Sequence, residues 1–307
     1  MKNSIYTAMK KTVLTTILIA AVTGVFAQQL SSYKIFHLNP YLHNPAVAGS
    51  KPYIFVSTAY SQAWSGMEGA PNLQSVSAHA LVSQRVGFGG KIFYENSGLS
   101  GQFGAEASYA YHIPIGTGGT KLSFGLSALL SQYSLRKDRF VVAHPDDQVI
   151  ENSENSVIVP DAAFGMSLYQ DNKFFLNYGI YQLLGRQVNF INEDNLENRR
   201  VRHHFINAAF RITASENLKI EPSVLMKLTE SGMFQADLGM KAEIKETLGL
   251  GIYYKTGEAV VPYLGIDTKY LVFGYSYGFI TGDIKSYSVG SHEIMIILKL
   301  NNSKPAL

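Results

Sequence analysis

The sequence predicts an all-β fold, namely a transmembrane antiparallel β-barrel of about fourteen strands with an N-terminal non-regular, plug-like segment. Apolar residues alternate with small or polar ones in one segment after another, which is the period of a β-strand. The segments are about ten residues long, as in outer-membrane barrels. Charged residues make up 16% of the 307 residues, whereas about a quarter is usual in soluble proteins.

The alternation is clearest between Phe234 and Ile244. Every second residue of this stretch is apolar, and the residues between them include Gln235, Asp237 and Lys241. Because neighbouring side chains of a strand point to opposite faces, this strand has one apolar and one charged face. The same pattern predicts fourteen strands, with the boundaries Tyr53–Ala63, Leu73–Ser83, Val86–Asn96, Phe103–Ile113, Lys121–Tyr133, Asp161–Gln170, Lys173–Gln182, His203–Thr213, Leu218–Lys227, Met233–Ile244, Thr247–Lys255, Val260–Asp267, Tyr270–Phe279 and His292–Leu300.

The connections between these strands are of two kinds. Gln170–Asn172 and Ser215–Asn217 are tight, whereas Asp138–Pro160 and Glu193–Arg202 are long and polar. Short turns at one end and longer loops at the other are typical of membrane barrels. Tyr181–Gln187 is the one stretch that indicates a short helix.

Residues 1–27 have the pattern of a secretory signal peptide. Lysines precede the apolar run Val13–Phe26, and Val25–Ala27 forms a small-x-Ala cleavage site. An uncleaved membrane anchor is the alternative, but the run is too short to span a bilayer comfortably. The chain contains no cysteine, so it has neither disulfides nor a cysteine that could carry a lipid. Export and a barrel together predict a location in the outer membrane, in contact with its lipid.

A soluble exported β-sandwich would also show alternation, because one face of each sheet packs on the core. The length of the strands and the scarcity of charge favour the membrane barrel. So do tyrosines near the strand ends, which resemble the aromatic girdles of outer-membrane barrels. These are Tyr109, Tyr111, Tyr133, Tyr253, Tyr254, Tyr275 and Tyr277.

No arrangement typical of an active site is present in the sequence. There is no Gly-x-Ser-x-Gly elbow, and Gly87–Lys91 lacks the spacing of a P-loop. That stretch is better explained as a strand with small residues on one face. His203 and His204 are adjacent, so on a strand they point in opposite directions and cannot easily share one metal ion. The chain has no basic block that would indicate nucleic acid. We therefore expect no enzyme activity, no cofactor and no metal.

Asn39–Ser50, NPYLHNPAVAGS, contains two Asn-Pro pairs. Proline removes a backbone donor and disfavours helix at the residue before it, so this run is neither helix nor central strand. The run closely resembles the N-terminal signature of the PorP/SprF family, outer-membrane proteins of the type IX secretion and gliding machinery. Its candidate plug or partner-binding residues are Asn39, Pro40, Asn44, Pro45, Ala46 and Gly49.

Further blocks similar to the family occur in order over nearly the whole chain after residue 27. Their candidate plug or partner-binding residues, with Glu68 in the first hairpin loop, are Trp64, Gly66, Glu68, Gly69, Ala70, Pro71, His79, Tyr275, Tyr277, His292 and Glu293. The sequence departs from the family pattern at Ser61–Ala63, where an arginine is frequent, and at Gly278, where aspartate is usual. We expect an N-terminal periplasmic or plug segment at residues 28–52, a barrel at 53–300 and a tail at 301–307.

The resemblance implies a non-enzymatic protein that helps to export, or to anchor at the cell surface, cargo proteins with a C-terminal targeting domain, such as adhesins. It implies as partners the cargo, periplasmic components of the machinery and an OmpA-like, peptidoglycan-binding adaptor. Glu68–Pro71 would lie outside and contact the cargo. Asn39–Ser50 would enter the barrel and block its pore, or present a docking edge to a periplasmic partner. One alternative is that both stretches have only a structural role, as a filler of the barrel and as a turn. Another is that the protein is a passive channel or a transporter of hydrophobic ligands.

Overall fold

A computed structural model describes residues 33–136, 156–190 and 199–301 of the chain. Its strands are β1 (Ile54–Ser65), β2 (Asn72–Leu81), β3 (Val86–Ser97), β4 (Ser100–Ile115), β5 (Thr120–Leu135), β6 (Ser156–Gln170), β7 (Phe174–Tyr181), β8 (His203–Phe210), β9 (Ile212–Ser215), β10 (Leu218–Thr229), β11 (Phe234–Ile244), β12 (Leu248–Lys255), β13 (Ala259–Asp267), β14 (Leu271–Ile280) and β15 (Gly290–Leu300). Short 3-10 turns within these ranges are Pro40–His43, Pro45–Val47 and Asp283–Ser286. No helix in the described ranges is long and apolar enough to cross a membrane.

The strands form one closed antiparallel barrel, which confirms the predicted fold class. Strands that follow one another in the chain pair, except that β8 and β9 both pair with β10, and β15 pairs with β1, for example Tyr60 with Ile294. The predicted signal peptide lies outside the described residues and stays a prediction. The helix predicted at Tyr181–Gln187 is wrong, since Tyr181 ends β7 and a turn follows it.

Fifteen strand segments occupy fourteen positions in the barrel, because β8 and β9 both pair with β10. The sequence predicted β8 and β9 as one strand. Their pairing with β10 keeps the same register on both sides of the gap between them, since Ala209 lies opposite Ser223 and Ile212 opposite Ile220. Pro222 lies in this part of β10. A proline has no N–H to donate, so the hydrogen-bond ladder is interrupted there.

The apolar face of the strands points outward and the polar face points into the lumen. In β11, the side chains of Leu238 and Met240 are 51% and 53% exposed, whereas Asp237 is 1% exposed. A soluble sandwich would bury the apolar face instead. The outward apolar surface therefore faces lipid, which is the arrangement of a membrane barrel.

Two tyrosines of the predicted girdles do not face the membrane. Tyr253 is 1% exposed and packs inside the barrel, while its neighbour Tyr254 is exposed. Tyr133 also points inward, where the guanidinium of Arg200 lies over its ring. The strand period explains the correction, because adjacent residues such as Tyr253 and Tyr254 cannot both face lipid.

The two ends of the barrel differ in their connections. The end that holds the start of β1 and the end of β15 carries tight turns, such as 171–173 between β6 and β7 and 245–247 between β11 and β12. The opposite end carries the longer connections, including 66–71 and 281–289. In outer-membrane barrels the short turns are periplasmic, so we call these the periplasmic end and the loop end.

Candidate functional site

Residues 33–49, called the lumenal segment below, lie inside the barrel. Ile35, Phe36, Tyr41 and Ala46 have no exposed surface. The segment contacts inward-facing residues of β1 through β8 and of β12 through β15. Burying one large apolar side chain contributes about 1.5–3 kcal/mol. The segment is therefore held by packing as well as by its polar contacts.

The two Asn-Pro pairs build two consecutive 3-10 turns. Pro40 and Pro45 each occupy the first position of a turn, where the missing N–H costs nothing. The side chain of Asn44 accepts a hydrogen bond from the N–H of Ala46 at 2.9 Å and donates one to the carbonyl of Met166 at 2.8 Å. One asparagine thus caps the second turn and ties it to β6.

Inward-facing glycines of four strands provide the surface on which these turns lie. A Cβ added to Gly125 would lie 2.3 Å from the nitrogen of Ala46, and one added to Gly165 would lie 1.9 Å from Oδ1 of Asn44. A Cβ added to Gly179 of β7 would lie 2.1 Å from the carbonyl oxygen of His43. One added to Gly87 of β3 would lie 2.0 Å from the carbonyl oxygen of Ala48. None of these four glycines has a positive φ. They are needed for close approach and not for an unusual backbone.

Hydroxyl and imidazole groups of the barrel bind the rest of the turn region. The amide of Asn39 donates to Ser57 at 2.9 Å and to Ser77 at 3.0 Å. Ser123 donates to the carbonyl of Ala46 at 2.8 Å. The N–H of Gly49 donates to Nδ1 of His79 at 3.2 Å. Each of these side chains comes from an inward position of its strand, so the signature residues Asn39, Ala46 and Gly49 are each bound to the barrel wall, Gly49 through His79.

The start of the lumenal segment lies towards the loop end, where a carboxylate binds its backbone. Glu293 of β15 accepts the N–H groups of Lys34 and Ile35, both at 2.8 Å. Lys34 is 3% exposed. Burial lowers the pKa of Lys34, as does the nearby Lys255, while Glu293 and Glu258 act in the opposite direction. A carboxylate that accepts two backbone N–H bonds holds this part of the segment against β15.

Two histidines of the lumenal segment are buried in neutral form. Burial lowers the pKa of His37 to about 3, and the charge of Lys241 acts in the same direction. Burial also lowers the pKa of His43 to about 3, helped by neighbouring lysines of which Lys227 has the largest effect. The ring of His37 stacks on Tyr253 with 4.8 Å between centroids. Protonation of either ring would place a charge in a site that disfavours it.

The lumenal segment separates two cavities. One has a volume of about 80 Å³ and lies on the loop side, where Tyr33, Phe93 and Arg200 contribute to its lining. The other has a volume of about 360 Å³ and opens at the periplasmic end, where Lys51 and Lys173 contribute to its lining.

The predicted residues of the first hairpin lie at the loop end, away from the lumenal network. Trp64 donates its backbone N–H to Ser291 at 3.2 Å. Gly69 accepts a backbone hydrogen bond from Gly98 at 2.8 Å. In the same connection Glu68 is exposed, and the half-buried Ala70 and Pro71 lead into β2. Gly66, also in this connection, lies close to the β14–β15 connection.

The predicted residues near the C-terminus divide between the two faces of the barrel. Glu293 points into the lumen, whereas its neighbour His292 points outward and forms a hydrogen bond with the hydroxyl of Tyr275 at 2.9 Å. Tyr277 also lies on the outer face, with its ring 5.0 Å from that of His292. The structure therefore does not bring these three outward residues to the lumenal segment.

Sequence reasoning missed the receiving surface and the start of the lumenal segment. It did not name as candidates Lys34, His37 or His43, nor Ser57, Ser77, Ser123 and the four glycines of the barrel. The available signal was a run of Gly and Ser at inward positions of consecutive strands, which indicates that another backbone approaches closely.

A closed barrel with an outward apolar face and an occupied, polar lumen defines an outer-membrane protein. The sequence model of the type IX secretion system membrane protein PorP/SprF family matches residues 25–298. The chain belongs to this family, and its location is the outer membrane. Membership makes it an outer-membrane component of type IX secretion.

Among curated proteins, none matches the chain. Several solved outer-membrane proteins are similar in structure. Omp33 of Acinetobacter baumannii is 8% identical, with 81% of this chain and 98% of that chain covered and a TM-score of 0.46. The toluene transporter TbuX of Ralstonia pickettii is 10% identical, with 84% and 92% covered and a TM-score of 0.49. A FadL homologue of Pseudomonas aeruginosa is 8% identical, with 81% and 89% covered and a TM-score of 0.43. Such low similarity carries no argument about function.

Proposed function

We propose that this protein helps to export, or to anchor at the cell surface, cargo proteins that carry a C-terminal targeting domain. It acts through protein–protein contacts and not through catalysis. The observation that carries the proposal is the lumenal segment, which fills the cross-section between the two cavities and leaves the ends of the barrel as contact surfaces. Family membership supplies the secretion system in which these contacts are made.

In this proposal the lumenal segment acts as a plug that closes the pore. Its support is the close packing against Gly125, Gly165 and Gly179, together with the hydrogen bonds that Glu293 accepts from the segment and that Asn39 of the segment donates to Ser57. The test is the conductance of the purified protein in planar bilayers. We expect little conductance from the intact protein and a porin-like current after deletion of residues 33–49. If the deletion variant does not fold, the Gly165→Ala and Gly179→Ala variants take its place. A large current through the intact protein would contradict the plug and favour the channel.

Glu68–Pro71 is the proposed contact for the cargo. This stretch lies at the loop end, and Glu68 is exposed. The test is co-purification from detergent-solubilised outer membranes, read by mass spectrometry. We expect a large secreted protein with a C-terminal targeting domain to accompany the wild-type barrel and to be depleted with Glu68→Lys. The control is Asp283→Lys, an equal charge change at another exposed loop-end position. A folded barrel that recovers no such cargo would refute the proposed function.

The periplasmic end is the proposed contact for other components of the machinery, including an OmpA-like adaptor. Gliding adhesins are one proposed class of cargo. The same co-purification tests both proposals. Mass spectrometry identifies each recovered protein from its peptides, so periplasmic components of the machinery and adhesins are told apart by sequence. Loss of gliding or of adhesion in a deletion strain, restored by the wild-type copy, would show which process the protein serves.

A further inference from the structure

The 360 Å³ cavity at the periplasmic end, called the vestibule below, has a basic lining. Five basic and three acidic residues take part, which is an excess of two positive charges. These residues are Lys51, Lys173, Arg211, Lys241, Lys299, Asp171, Glu221 and Asp267. The volume is within the range of about 300–1,000 Å³ that is usual for binding pockets.

The acidic residues of the vestibule are already paired. Glu221 pairs with Arg211 at 2.8 Å and with Lys241 at 3.3 Å. Asp267 pairs with Lys299, and Asp171 pairs with Lys51 at a looser 3.5 Å. Among the described residues no carboxylate pairs with Lys173, which is exposed. Arg211 also lies 3.7 Å from Glu243. The least neutralised positive charges are therefore at the mouth, on Lys173 and on Lys51, whose exposed partner Asp171 is only loosely held.

The inner end of the vestibule contains buried polar atoms without partners. Within the described part of the chain, Nδ1 of His37, Oδ1 of Asn39 and Oδ1 of Asn177 make no hydrogen bond. Their residues are 7%, 0% and 2% exposed, and all three line the vestibule. Buried polar groups normally have partners, so these atoms leave hydrogen-bonding capacity unused just behind the inner wall of the vestibule, where they have almost no exposed surface.

We propose that the vestibule binds an acidic polypeptide segment of a periplasmic protein. Carboxylate side chains pair with Lys51 and Lys173 at the mouth. Backbone N–H groups of the segment donate to the oxygens of Asn39 and Asn177 once these side chains turn towards the cavity on binding. Apolar lining residues such as Phe55 and Ile297 accommodate the aliphatic parts of its side chains. The inference rests on the proposed function only in taking the partner to be a periplasmic component of the secretion machinery.

The test uses the purified full-length protein in detergent and a fluorescein-labelled hexapeptide of alternating glutamate and glycine. We expect saturable binding by fluorescence anisotropy at about 50 mM salt, weakened as the salt concentration rises. The double variant Lys51→Glu/Lys173→Glu should weaken binding by about tenfold or more. The double variant Lys245→Glu/Lys269→Glu, an equal charge change in two periplasmic turns outside the vestibule, should leave it unchanged. Folding of each variant is checked by heat-modifiable gel mobility.

Three results would overturn the proposal. They are absence of saturable binding, equal binding by the lysine counterpart of the peptide, and equal binding by the double variant. Competition by free glutamate as strong as that by the unlabelled peptide would indicate a site for small anions and would overturn the polypeptide assignment. Because the assay contains no cargo, a barrel that co-purifies with cargo but fails to bind the peptide refutes the vestibule proposal alone.

Discussion

Alanine in place of Gly165 or Gly179 should detach the turn region of the lumenal segment while leaving the barrel intact. The new methyl group would lie 1.9 Å from Oδ1 of Asn44 in the first variant and 2.1 Å from the carbonyl oxygen of His43 in the second. Ordinary contacts of a Cβ lie at 3.4–4 Å. The turns must therefore move by about 1 Å or more, losing their bond to Met166 of β6 or their close packing against β7.

The magnitude follows from the cost of overpacking. Inserting a methyl group into a well-packed site typically costs about 1–3 kcal/mol. If the barrel does not move, this cost falls on the docked state of the segment. The detached population then rises by about five- to 150-fold, because 1.4 kcal/mol corresponds to a factor of ten.

Hydrogen exchange read by mass spectrometry measures this population directly. The N–H groups of Val47, Ala48 and Ser50 donate within the turns, to Asn44, Pro45 and Val47 respectively. They exchange when the turns open, so their exchange rate follows the opening equilibrium. We expect peptides that cover residues 44–50 to exchange about five- to 150-fold faster in Gly165→Ala and Gly179→Ala, with strand peptides unchanged.

Two matched controls separate close packing from a general effect of alanine. Gly278 also faces the lumenal segment, but an added Cβ would lie no closer than 3.4 Å to Lys34. Gly90 lies on β3, where an added Cβ would be 3.5 Å from the nearest atom. Both alanine variants should exchange like the wild type. If residues 44–50 exchanged at the wild-type rate in Gly165→Ala and Gly179→Ala as well, close packing on the glycines would not be what holds the turns in place.

The remaining predictions concern the polar contacts of the lumenal segment. Glu293→Ala leaves two buried N–H groups without an acceptor and should destabilise docking by about 1–3 kcal/mol, whereas Glu293→Gln should retain part of the bonding. Exchange at residues 34 and 35 measures this, and equal rates in both variants and the wild type would contradict it. Asn39→Ala should accelerate exchange across the first 3-10 turn, with Ser57→Ala, which removes only one acceptor, giving the smaller effect. Because the pKa values of His37 and His43 are about 3 in the folded protein and about 6.5 in an unfolded chain, the unfolded state binds more protons below pH 6.5. Stability should therefore fall as the pH drops from about 6.5 towards 3, by up to about 1.4 kcal/mol per histidine and pH unit. The thermal unfolding midpoint should fall less over this window in His37→Gln/His43→Gln, and superimposable profiles would contradict the assignment.

Much of the architecture could be predicted from the sequence because it depends on local period and composition. The alternation in β11 gives its two faces, and the low charge content indicates which face meets lipid. The interruption opposite Pro222 was not predicted, since it arises from pairing between β8 and β10. The inward orientation of Tyr253 was missed because position near a strand end was given more weight than the period of two.

The candidate site was predicted only in part, and the division has a physical cause. The sequence alone determined that Asn39–Ser50 forms neither an α-helix nor a central strand, because proline restricts the backbone wherever it lies. That it forms two 3-10 turns was seen only in the structure. The period of two also placed Glu293 and His292 on opposite faces. Only the tertiary structure decided that Gly125, Gly165 and Gly179 lie side by side, since they are far apart in the chain and meet through strand pairing. Register sets the height of each residue in the barrel, and closure of the sheet by β15 and β1 creates the lumen that the segment enters.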